Sequence, residues 1–181
     1  MRNVERSISE LARVRPPGRA ERTLAALASP WGATAGGLVA AAALRRAGRP
    51  AIPAALAVPL TMAVGTTLKR MIGRPRPGIS RFEREGRHSF PSTHVAGPAA
   101  LLACLWFLSP RTWGWRATLA LGGAVTLVVA RERVAVRKHW PSDVAAGIAL
   151  GSMVGALVGT IGARRARVAP AGDVLAPGAT P

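Results

Sequence analysis

The chain has 181 residues, 49% of them hydrophobic, and its 25 Lys and Arg against 8 Asp and Glu give a formal charge of +17. That length suits one domain. The cations flank long uncharged runs and do not line a polar face, which argues against nucleic acid as the partner and for basic residues meeting anionic lipid headgroups. Cys104 is the sole cysteine, so an internal disulfide is excluded.

Residues 1–22 carry Val4, Ile8, Leu11 and Val14 at helical spacing among charges. This predicts an amphipathic helix lying at the membrane interface and ended by Pro16-Pro17. The same charges leave no apolar core for a cleavable signal peptide. Residues 23–163 form the membrane domain. Its first uncharged run, 23–44, contains Ser29-Pro30, which suits an N-cap followed by the first helical position. A second run, 51–68, stops at Lys69-Arg70, and a third, 95–110, is bounded by Arg111. Both fall slightly short of the ~20 residues that cross ~30 Å of hydrocarbon. The fourth, 117–130, is shorter still, with Trp113 and Trp115 as interfacial anchors and Arg116 able to snorkel.

The clearest span is 144–163, where Gly147, Gly151, Gly155 and Gly159 recur at every fourth position. Such a stripe lets helices approach closely in lipid, and is expected to offer a face for homo-oligomers. Residues 164–181 read as a basic stop followed by a disordered tail. The predicted fold is all-α: a polytopic transmembrane helix bundle of about five spans plus an N-terminal interfacial helix.

Two polar stretches, 69–94 and 131–143, interrupt the spans and hold nearly all the potential chemistry. Apart from Asp143, the acids are Glu5, Glu10, Glu21, Glu83, Glu85, Glu132 and Asp173, too scattered for a magnesium cage or a two-metal centre. His88, His94 and His139 match no zinc spacing and lie among cations that repel a dication. No metal and no cofactor are therefore expected. Lys69, Arg70, Arg74 and Arg76 lie within eight residues, as do Arg131, Arg133, Arg137 and Lys138. Guanidinium forks and a lysine point charge suit a phosphate guest, and in phosphoryl transfer such groups stabilise charge on the equatorial oxygens. An imidazole attacks phosphorus when one nitrogen is free and a carboxylate holds the other. His139 and Asp143, four residues apart around a Pro141-Ser142 turn, fit that need, with Asp143 in the first turn of the last span. His94, at the start of another span, is placed to protonate a departing alkoxide.

The strings "KRMIGRPRP" (69–77), "PSTH" (91–94) and "RVAVRKHWPSD" (133–143) resemble, in order and spacing, the three signature motifs of the type 2 phosphatidic acid phosphatase superfamily. The resemblance covers about residues 60–150. It implies that His139 is the nucleophile that becomes phosphorylated, Asp143 its orienting partner and His94 the general acid. It further implies that Lys69, Arg76, Ser92, Arg133 and the backbone N–H of Thr93 hold the phosphate. Thr93 stands where the pattern has Gly, a strained choice if the site needs positive φ. Glu132 stands where it has Ser, adding negative charge beside Arg133. Arg74 lies off the pattern, as a cation supporting the site from behind. Arg131, Arg137, Lys138 and His88 are read as structural or headgroup-facing.

The function implied is a metal-independent membrane phosphatase that hydrolyses lipid phosphates through a phosphohistidine. Phosphatidic acid, phosphatidylglycerol phosphate and polyprenyl phosphates or diphosphates are its candidate substrates. The alternatives are a non-catalytic lipid-phosphate binder or transporter, and a relative of the vanadium-dependent haloperoxidases. Arg45, Arg46, Arg49, Arg111, Arg116, Arg164, Arg165 and Arg167 fall in loops that the positive-inside rule makes cytoplasmic, so the site is expected to face outward. The six arginines of residues 1–22 run against that tally.

Overall fold

The structure is a computed structural model describing Ser7 and residues 18–78 and 87–168. The expected interfacial periodicity over Val4, Ile8, Leu11 and Val14 therefore lies outside the described residues, as does the tail from 169 onward. Among the described residues are six helices: α1 (Arg19–Leu27), α2 (Pro30–Arg46), α3 (Ile52–Ile72), α4 (Thr93–Leu108), α5 (Trp113–Ala135) and α6 (Pro141–Val168). An isolated antiparallel bridge joins Pro75 to His88.

The chain turns where its sequence says it must. At the start of α1 the Glu21 carboxylate accepts the Gly18 N–H at 2.8 Å, satisfying one of the four donors a helix N-terminus leaves free. After Ala28, the Ser29 hydroxyl accepts from Gly32 N–H at 3.3 Å and Pro30 opens α2, the cap and first position expected. The break bends α1 against α2 by 65°. Gly73 ends α3 in the left-handed region, φ 64°, its N–H bonded to the Lys69 carbonyl, a conformation that costs glycine nothing.

Three helices, α3, α5 and α6, are long and apolar enough to cross a membrane, and the bent α1–α2 pair makes a fourth if taken as one span. This is fewer than the five expected. The expected run 23–44 is the bent α1–α2 pair, and the run 95–110 is α4, whose 16 residues make a rod of about 24 Å, short of the roughly 30 Å hydrocarbon core. In the other direction, α6 runs on to Val168, so the tail expected from 164 begins as helix. Arg165 and Arg167 complement its C-terminal dipole there.

The α4–α6 pair is the most extensive contact in the bundle, with α3 packed on both. Its seam is the glycine stripe. A Cβ at Gly147 would lie 2.4 Å from the Ser92 carbonyl oxygen, one at Gly151 2.1 Å from that of Ala96, and one at Gly155 2.0 Å from that of Ala100. All four glycines are buried. This corrects the expected oligomer face: Gly147, Gly151, Gly155 and Gly159 are consumed within the chain, seating α6 against the α4 backbone, and present nothing to a second copy. The helices alternate in direction, so the start of α4 and the ends of α3 and α5 meet the start of α6 at one end. The arginine-bearing turns gather at the other.

Candidate active site

Four pieces converge at that end. The last turn of α3 carries Lys69 and Arg70, the loop after Gly73 carries Arg74 and Arg76, the first turn of α4 carries Thr93 and His94, and the α5–α6 turn carries His139. Lys69, Arg76, Thr93, His94 and His139 line one cavity of about 290 Å³, with Thr66, Arg70 and His88 completing the wall. Ser92, Arg133 and Asp143 are buried and adjoin this lining, Ser92 through its N–H to the Asp143 carbonyl and Arg133 through its carbonyl to the His139 N–H. All eight residues singled out in the sequence are thus brought to one place, five on the cavity surface and three buried beside it.

Backbone bonds fix the pieces to one another. Ser92 N–H donates to the Asp143 carbonyl at 2.9 Å, tying α4 to α6. Ser89 N–H donates to the Arg74 carbonyl at 2.8 Å, and the Ser89 hydroxyl lies 3.2 Å from each of the Arg74 and Pro75 carbonyls. His139 N–H donates to the Arg133 carbonyl at 3.2 Å. Lys69 is steered by the His88 and Ser89 carbonyls at 3.4 and 3.5 Å, and Arg76 donates to the Lys138 carbonyl at 2.8 Å.

Asp143 occupies the third position of α6 and reaches back to the preceding chain. Its Oδ2 accepts from Trp140 N–H at 2.8 Å, the return half of a capping box, and lies 3.7 Å from His139 Nδ1. That separation permits charge attraction but exceeds a hydrogen bond, and Nδ1 is buried without one. Its Oδ1 accepts from Arg74 at 2.8 Å, while Arg74 also donates to Ser142 Oγ at 2.6 Å and lies over the Trp140 ring at 5.4 Å. Arg74 is therefore an ion-pair partner of Asp143 across 69 residues of sequence, more than a distant supporting cation. Burial pushes the His139 imidazole below its ordinary 6.5; the Asp143 carboxylate opposes this and the Lys69 and Arg76 charges reinforce it. The ring is thereby held neutral, with a lone pair available at neutral pH.

The two departures from the motif pattern resolve differently. Thr93 lies inside α4 and is not among the described residues with positive φ, so the strain anticipated there does not arise. Its methyl packs toward Gly65, where a Cβ would come within 3.1 Å. Glu132 is buried, and its carboxylate accepts from Arg133 Nε at 2.5 Å. Arg133 accordingly carries an anion of its own before any substrate arrives. Of the cations set aside in the sequence, Arg131 pairs with Glu21 at 2.8 Å and ties α5 to α1, as a structural role requires. His88, read as structural or headgroup-facing, lines the cavity, with its ring beside Gly73. Its place in the sequence carried no signal of this, since the Pro75 bridge that sets it there is a tertiary contact.

Residues 50–167 match the family model of the PAP2 superfamily. The chain belongs to that superfamily. It is 32% identical over 134 residues to a decaprenylphosphoryl-5-phosphoribose phosphatase of Mycobacterium tuberculosis, covering 72% of this chain and 71% of that one. It is 36% identical over 107 residues to a lipid A 1-phosphatase of Rhizobium johnstonii, covering 54% of this chain and 41% of that protein. A transmembrane PAP2-type phosphatidylglycerolphosphate phosphatase from Bacillus subtilis has the same fold, with a TM-score of 0.75 over 88% of this chain and 85% of that one at 20% identity. The PAP2 chain described here is thus a phosphatase of that type, built as a helical membrane protein.

Proposed function

We propose that this phosphatase hydrolyses lipid phosphates through a phosphohistidine formed on His139. The observation that carries the reading is the convergence of His94, His139, Lys69 and Arg76 on one cavity at a common end of the bundle. Lys69, Arg76 and the Thr93 N–H hold the phosphate oxygens, with Ser92 Oγ, buried and otherwise unpartnered, as a further donor. Arg133 joins them once substrate competes with Glu132 for its guanidinium.

Asp143 holds the proton of His139 on Nδ1, leaving Nε2 to attack phosphorus; the 3.7 Å gap shortens as positive charge develops on the ring. A P–N bond forms, the P–O bond to the lipid breaks, and His94 gives the leaving alkoxide its proton. Water then attacks the phosphorus, returns a proton to His94 and releases inorganic phosphate with cleavage of the P–N bond. The cationic wall neutralises charge on the equatorial oxygens throughout. Relatives named for action on a decaprenylphosphoryl sugar phosphate and on lipid A support a lipid-borne phosphate as substrate. Phosphatidic acid, phosphatidylglycerol phosphate and polyprenyl phosphates or diphosphates are the candidates.

The cavity opens on the extracytoplasmic side. Arg45, Arg46, Arg49, Arg111, Arg116, Arg164, Arg165 and Arg167 lie at the far end of the bundle, which the positive-inside rule assigns to the cytoplasm. Arg19 and Arg22, in α1, lie on the other side of the tally, since neighbouring Glu21 pairs with Arg131 toward the cavity end of α5.

Purified protein in detergent with excess chelator is expected to release phosphate from phosphatidic acid, and His139→Ala to abolish release. Dependence on added metal, or activity surviving in the variant, rejects the mechanism. Phosphate binding without turnover makes the chain a binder or transporter.

A further inference from the structure

The catalytic reading leaves part of the cavity wall without a task. Thr66, Lys69 and Arg70 stand at i, i+3 and i+4, one face of α3 near its last turn. Lys69 serves the reacting phosphate. Thr66 and Arg70 stand on the same wall, and the His88 ring comes against Gly73, where a Cβ would meet it at 3.7 Å. Among the described residues, the Arg70 guanidinium, the Thr66 hydroxyl and the His88 ring have no hydrogen bond or ion pair of their own. Among the described residues, no acidic side chain lines that wall.

Resting on the phosphate-pocket reading above, we infer that Arg70 and His88 form a second anion subsite, which holds the neighbouring phosphoryl group of a lipid diphosphate beside the one being transferred. Three features set the ligand class. The free groups are a fixed cation, an imidazole and a hydroxyl, which together supply donors to a multiply charged oxyanion. Arg70 and Lys69 line the same cavity, so a group held by Arg70 lies within reach of the one held by Lys69. The cavity, at about 290 Å³, is compact, which favours an adjacent phosphoryl group over one separated by a sugar or a glycerol unit. Gly73, at φ 64°, turns the chain sharply after α3, and the His88 ring stands beside it.

The test uses probes that the enzyme does not hydrolyse. Methylenediphosphonate carries two phosphonates joined by carbon, and methylphosphonate carries one. Titration calorimetry on the detergent-solubilised full chain is expected to show the diphosphonate binding at least tenfold more tightly. Arg70→Gln is expected to lower the ratio of the two affinities about tenfold, the worth of one charge-assisted hydrogen bond, and His88→Asn severalfold. Equal affinities in the unsubstituted protein overturn the subsite, and so does a ratio that both variants leave intact. If Arg70→Gln does not fold, the unsubstituted ratio and His88→Asn decide the matter. Lipid phosphate turnover with no diphosphonate preference sinks this inference alone. A diphosphonate preference without any turnover sinks the hydrolytic reading alone.

Discussion

Gly155→Ala, far from the chemistry, tests whether the helix seam sets the geometry of the site. Its added Cβ would lie 2.0 Å from the Ala100 carbonyl oxygen, 2.7 Å from that carbonyl carbon and 2.8 Å from Ala100 Cα. All three are backbone atoms and cannot rotate away. Reaching the closest approach that real Cβ atoms show, 3.0 Å, requires α4 and α6 to part by about 1 Å. If they separate as rigid rods, the Ser92 N–H to Asp143 carbonyl bond stretches from 2.9 Å beyond hydrogen-bonding range. His94 then moves away from the Asp143–His139 pair. A misplacement of about 1 Å costs on the order of a hundredfold in rate, and overpacking of this kind costs about 1–3 kcal/mol of stability. The assay is phosphate release and thermal unfolding in one detergent, with Gly123→Ala as control, because a Cβ there meets nothing within 4 Å. Gly155→Ala with full activity and unchanged melting refutes the reasoning, and so does a Gly123→Ala protein that is equally damaged.

Because His139 is held below 6.5, the acid limb of kcat/KM is expected below that pH, and Arg76→Gln, which removes a positive neighbour, is expected to move it upward; a pH–rate profile checks both. The unfolded chain binds this proton more readily than the folded one, so this group makes stability rise with pH from its folded pKa up to about 6.5, which unfolding at several pH values reads. Arg74→Gln is expected to lower kcat about 10- to 100-fold and raise the same acid limb, since Asp143 then acts on His139 without its competing cation, and Arg74→Lys is expected to restore part of both. Glu132→Gln removes the buried carboxylate bonded to Arg133. It is expected to cost about 3 kcal/mol in denaturant unfolding and to tighten inhibition by inorganic phosphate severalfold, as the guanidinium becomes available to the anion.

Much of the site was legible because its chemistry sits in short strings. Lys69 and Arg76, then Ser92 and His94, then His139 and Asp143 each lie within a single motif, and hydrophobic spans between motifs say only that they are joined by helices. The Ser29-Pro30 start of α2 was legible for the same local reason. The glycine stripe declared close approach but not its partner: spacing shows that a helix face is small, not whether the backbone against it comes from α4 or from another chain. The α4 run looked short in sequence, and it is short in the fold, ending at the extended Ser109 before Pro110. Arg74 and Asp143 stand 69 residues apart, and no periodicity links them. The strain feared at Thr93 rested on reading the motif glycine as a conformational requirement, whereas the position is ordinary helix with room beside Gly65. Glu132 was recognised as a charge beside Arg133. Its direct claim on that guanidinium depends on a buried side-chain conformation that sequence does not carry.

The most direct test of a phosphorylated His139 is a rapid acid-free quench of the enzyme during turnover of a phosphate-labelled lipid, followed by peptide mapping under alkaline conditions that preserve phosphohistidine. The expected result is label on the peptide containing His139, assigned to that residue and absent from His139→Ala. Label on any other side chain, or steady phosphate release by His139→Ala, contradicts it.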